Sequence, residues 1–132
     1  MSPVTFYIEE VMEIKIKRVY EDPSAEDGRR ILVDRLWPRG MTKEKAKIDI
    51  WLKEIAPSNE LRIWYAHEKT RWDEFRKRYR DELDRKPEKI DLMLKEIGKN
   101  TITLVYSSTE KELNNAVALK EILEEIGGTG RI

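Results

Sequence analysis

From Ile14 to Tyr20 apolar and basic residues alternate, the period-two signature of a strand with one face on a core and the other in water. Its basic face places it toward an edge of a sheet. Arg30 to Trp37 begins with the continuous apolar triplet Ile31, Leu32 and Val33, and Thr101 to Tyr106 is dominated by β-branched and aromatic residues. Such runs fit strands covered on both faces, so these two are expected to be central and parallel. Between them the period changes. Trp72, Phe75, Tyr79 and Leu83 make one helical stripe over Thr70 to Leu83, with Thr70 and Asp73 as a capping arrangement. Pro87 starts a second helix with the stripe Ile90, Leu94 and Ile97, and Gly98 supplies a left-handed stop before the last strand. A final helix is expected from Glu110 to Ile126. Thr109 and Glu112 form its capping box, Leu113, Ala116, Val117, Leu123 and Ile126 its buried stripe, and Gly127 its end.

The segment Ile48 to Ile55 fits a helical stripe (Ile48, Trp51, Leu52, Ile55) and a strand (Ile48, Ile50, Leu52) equally well. Reading Asp49 to Lys53 as a strand, after a short helix from Thr42 to Lys47, gives a right-handed parallel crossover. The whole pattern predicts a small α/β fold: a three-layer sandwich with an open, mostly parallel sheet of about four strands. One domain is expected over residues 12–126. Residues 1–11 are read as a poorly ordered N-terminal extension and residues 127–132 as a flexible end.

Composition narrows the chemistry. The 132-residue chain has no Cys, which removes thiol nucleophiles, iron–sulfur clusters and Cys-based zinc sites. Its 26 basic and 26 acidic residues cancel, so no whole-molecule field draws in nucleic acid or an anionic membrane. Without a leader pattern or a membrane-length apolar run, a soluble cytoplasmic protein is expected. The absence of Gln, with abundant Lys, Glu and Arg, resembles hyperthermophile usage.

Ligands of open α/β sheets sit at the carboxyl ends of the parallel strands, so the loops after the strands are the places to look. After the second strand, Asp34 and Arg35 lie among apolar neighbours. Strand alternation sends them to opposite faces, so each needs a partner from elsewhere. Arg39, held between Pro38 and Gly40, projects from the strand end. After the third strand, Ser58 is placed to cap a short helix carrying Leu61, Arg62, Trp64 and Tyr65; no G-x-S-x-G elbow surrounds it. After the fourth, the hydroxyls of Ser107, Ser108 and Thr109 lead into a helix N-terminus, which suits caps or an anion. His67 is the sole imidazole, at the end of the short helix, and any neutral-pH proton transfer would use it or a shifted carboxylate or tyrosine. No acidic cluster suggests a metal. Arg29 to Lys47 holds seven basic residues against two acidic ones, and Trp37, Trp51, Trp64 and Trp72 lie close by in sequence. Basic groups beside exposed aromatics can stack single-stranded nucleic acid, although the neutral total charge weighs against it.

The string Val33-Asp34-Arg35-Leu36-Trp37-Pro38-Arg39-Gly40 is distinctive, as are Ala56-Pro57-Ser58, Leu61-Arg62, Trp64, His67, Trp72, Phe75, Tyr79 and Glu82-Leu83. Together they resemble the YeaO-like branch of the domain-of-unknown-function 488 family, over about residues 14–126. The resemblance implies a compact α/β fold with an internal parallel sheet and brings no established activity. Its matched polar positions, Asp34, Arg35, Arg39, Ser58, Arg62, His67, Tyr106 and Asn114, are site candidates. A related branch carries cysteines near the last strand and helix, where this chain has Tyr106 and Asn114. Near relatives often have histidine around Asn115.

Two functional expectations follow. In the first, a polar, arginine-lined pocket binds a small anionic molecule: Arg35 and Arg39 bind it, Arg62 supports them, and Ser58, Tyr106, Ser107 and Asn114 complete the site. Asp34 orients an arginine, and acid–base catalysis through His67 with Asp34 is its enzymatic extension. In the second, the same surface is a non-catalytic module for a protein or single-stranded nucleic acid. Neither expectation calls for a cofactor or a metal.

Overall fold

The computed structural model describes residues 13–130, with side chains through residue 127. Four strands, β1 (Ile14–Arg18), β2 (Arg29–Leu32), β3 (Ile50–Trp51) and β4 (Ile102–Tyr106), form one parallel sheet in the order β1-β4-β2-β3. As the apolar runs predict, β4 and β2 are central and β1 is an edge. Registers such as Ile16↔Leu104 and Ile31↔Leu104 align like faces across the sheet.

The pleat sorts these side chains into two cores. Ile14, Ile31, Ile102, Leu104 and Tyr106 join the larger one, with Leu61, Phe75, Tyr79, Leu83, Ile97 and Leu119 from the helices. These come from α2 (Asn59–Tyr65), α3 (Trp72–Asp84), α4 (Pro87–Lys99) and α5 (Asn115–Gly130). On the opposite side, Leu32 and Val105 meet Val19, Ala46, Trp37 and Trp51 beneath the four-residue helix α1 (Lys43–Ala46).

This second face also holds a buried ionic knot. Arg30, only 3% exposed, donates to Asp27 Oδ2 (2.7 Å) and to the Ala46 carbonyl (2.8 and 3.1 Å), while Lys17 Nζ reaches Asp27 Oδ1 at 3.0 Å. Burial alone would raise the Asp27 carboxyl, but bonds from the Ser24 N–H, Lys17 and Arg30 outweigh it and hold that carboxyl below its ordinary value. Ser24 and Asp27 form a capping box around the 3-10 turn Ala25–Asp27, and Gly28 then turns the chain into β2 at φ 64°. A Cβ at Gly28 would lie 2.2 Å from the Thr101 carbonyl oxygen, so only glycine fits this close approach.

Several boundaries differ from the sequence pattern. β2 ends at Leu32, because Asp34 turns to bond Ser107; strand alternation therefore does not govern Asp34 and Arg35. β3 keeps two residues and passes into a 3-10 turn at Lys53–Ile55. A similar turn at Lys69–Arg71 replaces the Thr70 cap, so α3 starts at Trp72 without a side-chain cap. Gly98 lies inside α4, whose cap Asn100 is extended rather than left-handed. The last helix begins five residues late because Glu110 spends its carboxylate on the Glu112 and Leu113 N–H groups, leaving Asn114 Oδ1 to cap Val117 N–H at 3.0 Å. It runs past Gly127 to Gly130. The expectation for residues 1–11 lies outside the described residues.

Candidate functional site

All four strands point their carboxyl ends the same way, and a cleft of about 700 Å³ opens at those ends. Arg18 and Tyr20 enter it from the end of β1, Asp34 to Arg39 from β2, and Ala56 and Pro57 from the segment after β3. Ser107 and Ser108 follow β4, and Asn114 and Asn115 stand at the start of α5. Arg62, Tyr65 and His67 from the α2 region, with Phe75 of α3, complete the wall.

Asp34 is the knot of the floor. Ser107 donates its backbone N–H (2.9 Å) and its hydroxyl (2.8 Å) to Asp34 Oδ2, and Asn115 Nδ2 donates to Oδ1 at 3.1 Å. The same Asn115 amide reaches the Val33 carbonyl at 3.0 Å, and Trp51 Nε1 donates to the Asp34 carbonyl at 2.8 Å. Asp34 is therefore satisfied by neutral donors that tie β2, β3, β4 and α5 together. It orients no arginine through a salt bridge: among the described residues no cation lies within 4 Å of its carboxylate.

The arginines are held differently. Half-buried Arg35 donates from Nε to the Pro57 carbonyl (3.3 Å) and from Nη2 to the Ala56 carbonyl (3.2 Å). Arg18 Nε donates to the Ser108 carbonyl at 2.8 Å, with its guanidinium 4.7 Å above the centroid of the Tyr20 ring. Arg39 is exposed at the rim, where its carbonyl accepts the Tyr20 hydroxyl at 2.8 Å. Arg62, also exposed, donates to Asn59 Oδ1 at 2.6 Å. Among the described residues, none of these four guanidiniums has a carboxylate within 4 Å. Four cationic groups thus share the cleft with one carboxylate already engaged by three hydrogen bonds from neutral donors.

His67 is exposed and lies beyond the helix the pattern had it end. α2 stops at Tyr65, and Ala66 and His67 are both left-handed, at φ 44° and 55°. Its ring sits 6.0 Å from that of Tyr65, which stacks on Phe75 at 4.4 Å and donates its hydroxyl to the Leu113 carbonyl at 2.8 Å. Burial first, and the nearby Glu110 charge second, push the Tyr65 phenol above its ordinary value.

The cleft brings together Asp34, Arg35, Arg39, Arg62, His67, Ser107 and Asn114, but Ser58 and Tyr106 do not line it. Ser58 caps α2 through the Leu61 N–H and donates its hydroxyl to Glu82. Tyr106 is buried in the larger core, its phenol raised first by burial and then by the Glu21 charge. Sequence reasoning missed Arg18, Tyr20 and Asn115. Arg18 had left a trace: in the series Ile14, Ile16, Arg18 it occupies an apolar slot, so it shares the face of the larger core. Among the described residues no group of three or more His, Asp or Glu side chains could hold a metal ion, and no helix is long and apolar enough to cross a membrane.

Fold and cleft define a small, all-parallel α/β domain with an arginine-rich recess at its strand ends. A family model described as the inactive DUF488-N3 subclade matches residues 13–127, and the chain belongs to this domain-of-unknown-function 488 family. The chain is 40% identical over 110 residues to the uncharacterized protein Rv3073c of Mycobacterium tuberculosis, covering 83% of this chain and 92% of the relative. It is 39% identical over 115 residues to the uncharacterized protein YeaO of Escherichia coli, covering 87% and 100% respectively. No solved structure matches the chain.

Proposed function

We propose that this protein binds a small organic anion in the strand-end cleft and does so without turning it over. The observation that carries the reading is the set of four guanidiniums lining one recess without a carboxylate within 4 Å among the described residues, in a chain whose total charge is zero. An arginine donating to backbone carbonyls keeps its full charge and unused N–H groups, which a carboxylate or phosphate matches better than water does. Trp37, Pro38 and Phe75 provide apolar wall for the body of such a ligand.

Binding is favoured over catalysis by how the reactive groups are engaged. The Asp34 carboxylate is engaged in three hydrogen bonds that fasten the floor of the cleft, and exposed His67 has no hydrogen-bonded carboxylate to fix its tautomer among the described residues. The description of the subclade as inactive agrees with this, as do Tyr106 and Asn114 where a related branch has cysteines. Concavity favours a small molecule over a docking face, which would spread these groups over a flat surface.

Thermal unfolding of the wild type, Arg35→Ala and Arg39→Ala across a panel of carboxylates and phosphates tests the reading. At a ligand concentration of about one hundred times Kd, stabilisation of about 2.7 kcal/mol is expected for the wild type. It should be largely lost in Arg35→Ala and reduced in Arg39→Ala. Stabilisation that survives both substitutions unchanged would place the ligand elsewhere.

A further inference from the structure

The arginines are not gathered at one point, and their separation carries a statement about the ligand. Arg18 ends β1 and is tethered to the Ser108 carbonyl after β4. Arg35 follows β2 and is tethered to the Ala56 and Pro57 carbonyls, on the β3 side. In the order β1-β4-β2-β3 the ends of β1 and β2 stand two strand spacings apart, about 10 Å. Each guanidinium is held on its own side of β4 by carbonyls that share no residue.

The ground between them is polar and holds no cation within 4 Å of the Asp34 carboxylate among the described residues. Ser107 and Asn115 spend donors on Asp34, and Asn115 Oδ1 accepts no hydrogen bond among the described residues, which leaves an unused acceptor on a residue that lines the cleft. Asp34, lying between the two poles, repels an anionic group placed at the centre and so favours charge at the ends. Resting on the anion-binding reading, we infer that the cleft selects a dianion: a molecule with two anionic groups, one at Arg35 and one at Arg18, joined by a neutral stretch that can carry a hydrogen-bond donor. Arg18 is then a specificity-determining residue that counts the second charge.

Calorimetric titration of the full chain with succinate, glutarate, adipate and pimelate, beside butyrate, valerate and hexanoate, tests this. The expected result is an optimum of chain length among the dicarboxylates, with affinity at least about tenfold above the matching monocarboxylate. Arg18→Gln should bring dicarboxylates down to the monocarboxylate level and leave monocarboxylates unchanged, whereas Arg35→Gln should weaken both series. Equal binding of the two series by the wild type, a comparison that needs no variant, would overturn the two-charge inference while leaving anion binding standing. Uniform weakening of both series by Arg18→Gln would do the same. Failure of every mono- and dianion, phosphates included, to bind would instead bring down the anion reading itself.

Discussion

Arg30 and Arg35 leave the same stretch of chain and meet opposite fates. Arg30 is sealed under the sheet against Asp27 and the Ala46 carbonyl, and Lys17 adds a second cation to the same carboxylate. Arg35 reaches a cleft, bonds two carbonyls at 3.2 and 3.3 Å, and has no carboxylate within 4 Å among the described residues. The difference teaches how to sort the arginines of a chain that is 39% charged: a cation whose charge is answered internally holds the fold, and one left unanswered in a concavity is available to a guest.

The largest effect should come from breaking the internal answer. Arg30→Met leaves Asp27 buried with Lys17 alone and should lower unfolding free energy by about 3–5 kcal/mol in urea titration. A loss below 1 kcal/mol, on the order of a surface change, would mean that the knot is incidental. Next, Gly28→Ala should cost about 3 kcal/mol, because the new Cβ meets the Thr101 carbonyl in a left-handed backbone. A neutral outcome would show that β2 can shift away from β4 at this end.

A smaller effect is expected from pH. The folded carboxyl of Asp27 lies below its unfolded value, so its contribution is fully present above the ordinary carboxylate range, about pH 4, and drains as pH falls through the depressed folded value. Asp27→Asn should flatten the acid side of a pH–stability profile; an unchanged acid side would assign that limb to other carboxylates. Smallest of all, Arg35→Ala and Arg62→Ala should each change ligand-free stability by less than about 1 kcal/mol. A loss at Arg35 as large as that at Arg30 would erase the distinction between the two regions.

Much of this architecture could be read from residue order. The β-branched and aromatic run of β4 announced a central strand, and the rule that ligands gather at strand ends points to the loops that line the cleft. Ser58 was legible as a cap because a serine ahead of an amphipathic stretch has few better uses. The pairings were not legible. Asp34 next to Arg35 invites thoughts of salt bridges, yet its partners are Ser107 and Asn115, distant in sequence and brought close only by the parallel crossover. Arg18 was hidden for a related reason: beside Lys15 and Lys17 it looks like one more solvated cation until its slot in the alternation is counted. Asn114 outcompeted Thr109 as a cap once Glu110 had claimed the intervening N–H groups, a contest that local propensity alone does not decide.

The bonds made by Asp34 set the mechanical character of the recess. Because one carboxylate fastens three neighbouring segments, the base of the hollow is stiff before a guest arrives, and freedom remains mainly in the long exposed side chains around its lip. On the anion-binding proposal, a ligand would forfeit little conformational entropy in settling onto such a prepared base. Capture should therefore proceed without a slow rearrangement, and the lifetime of the complex, rather than its rate of formation, should separate a good guest from a poor one.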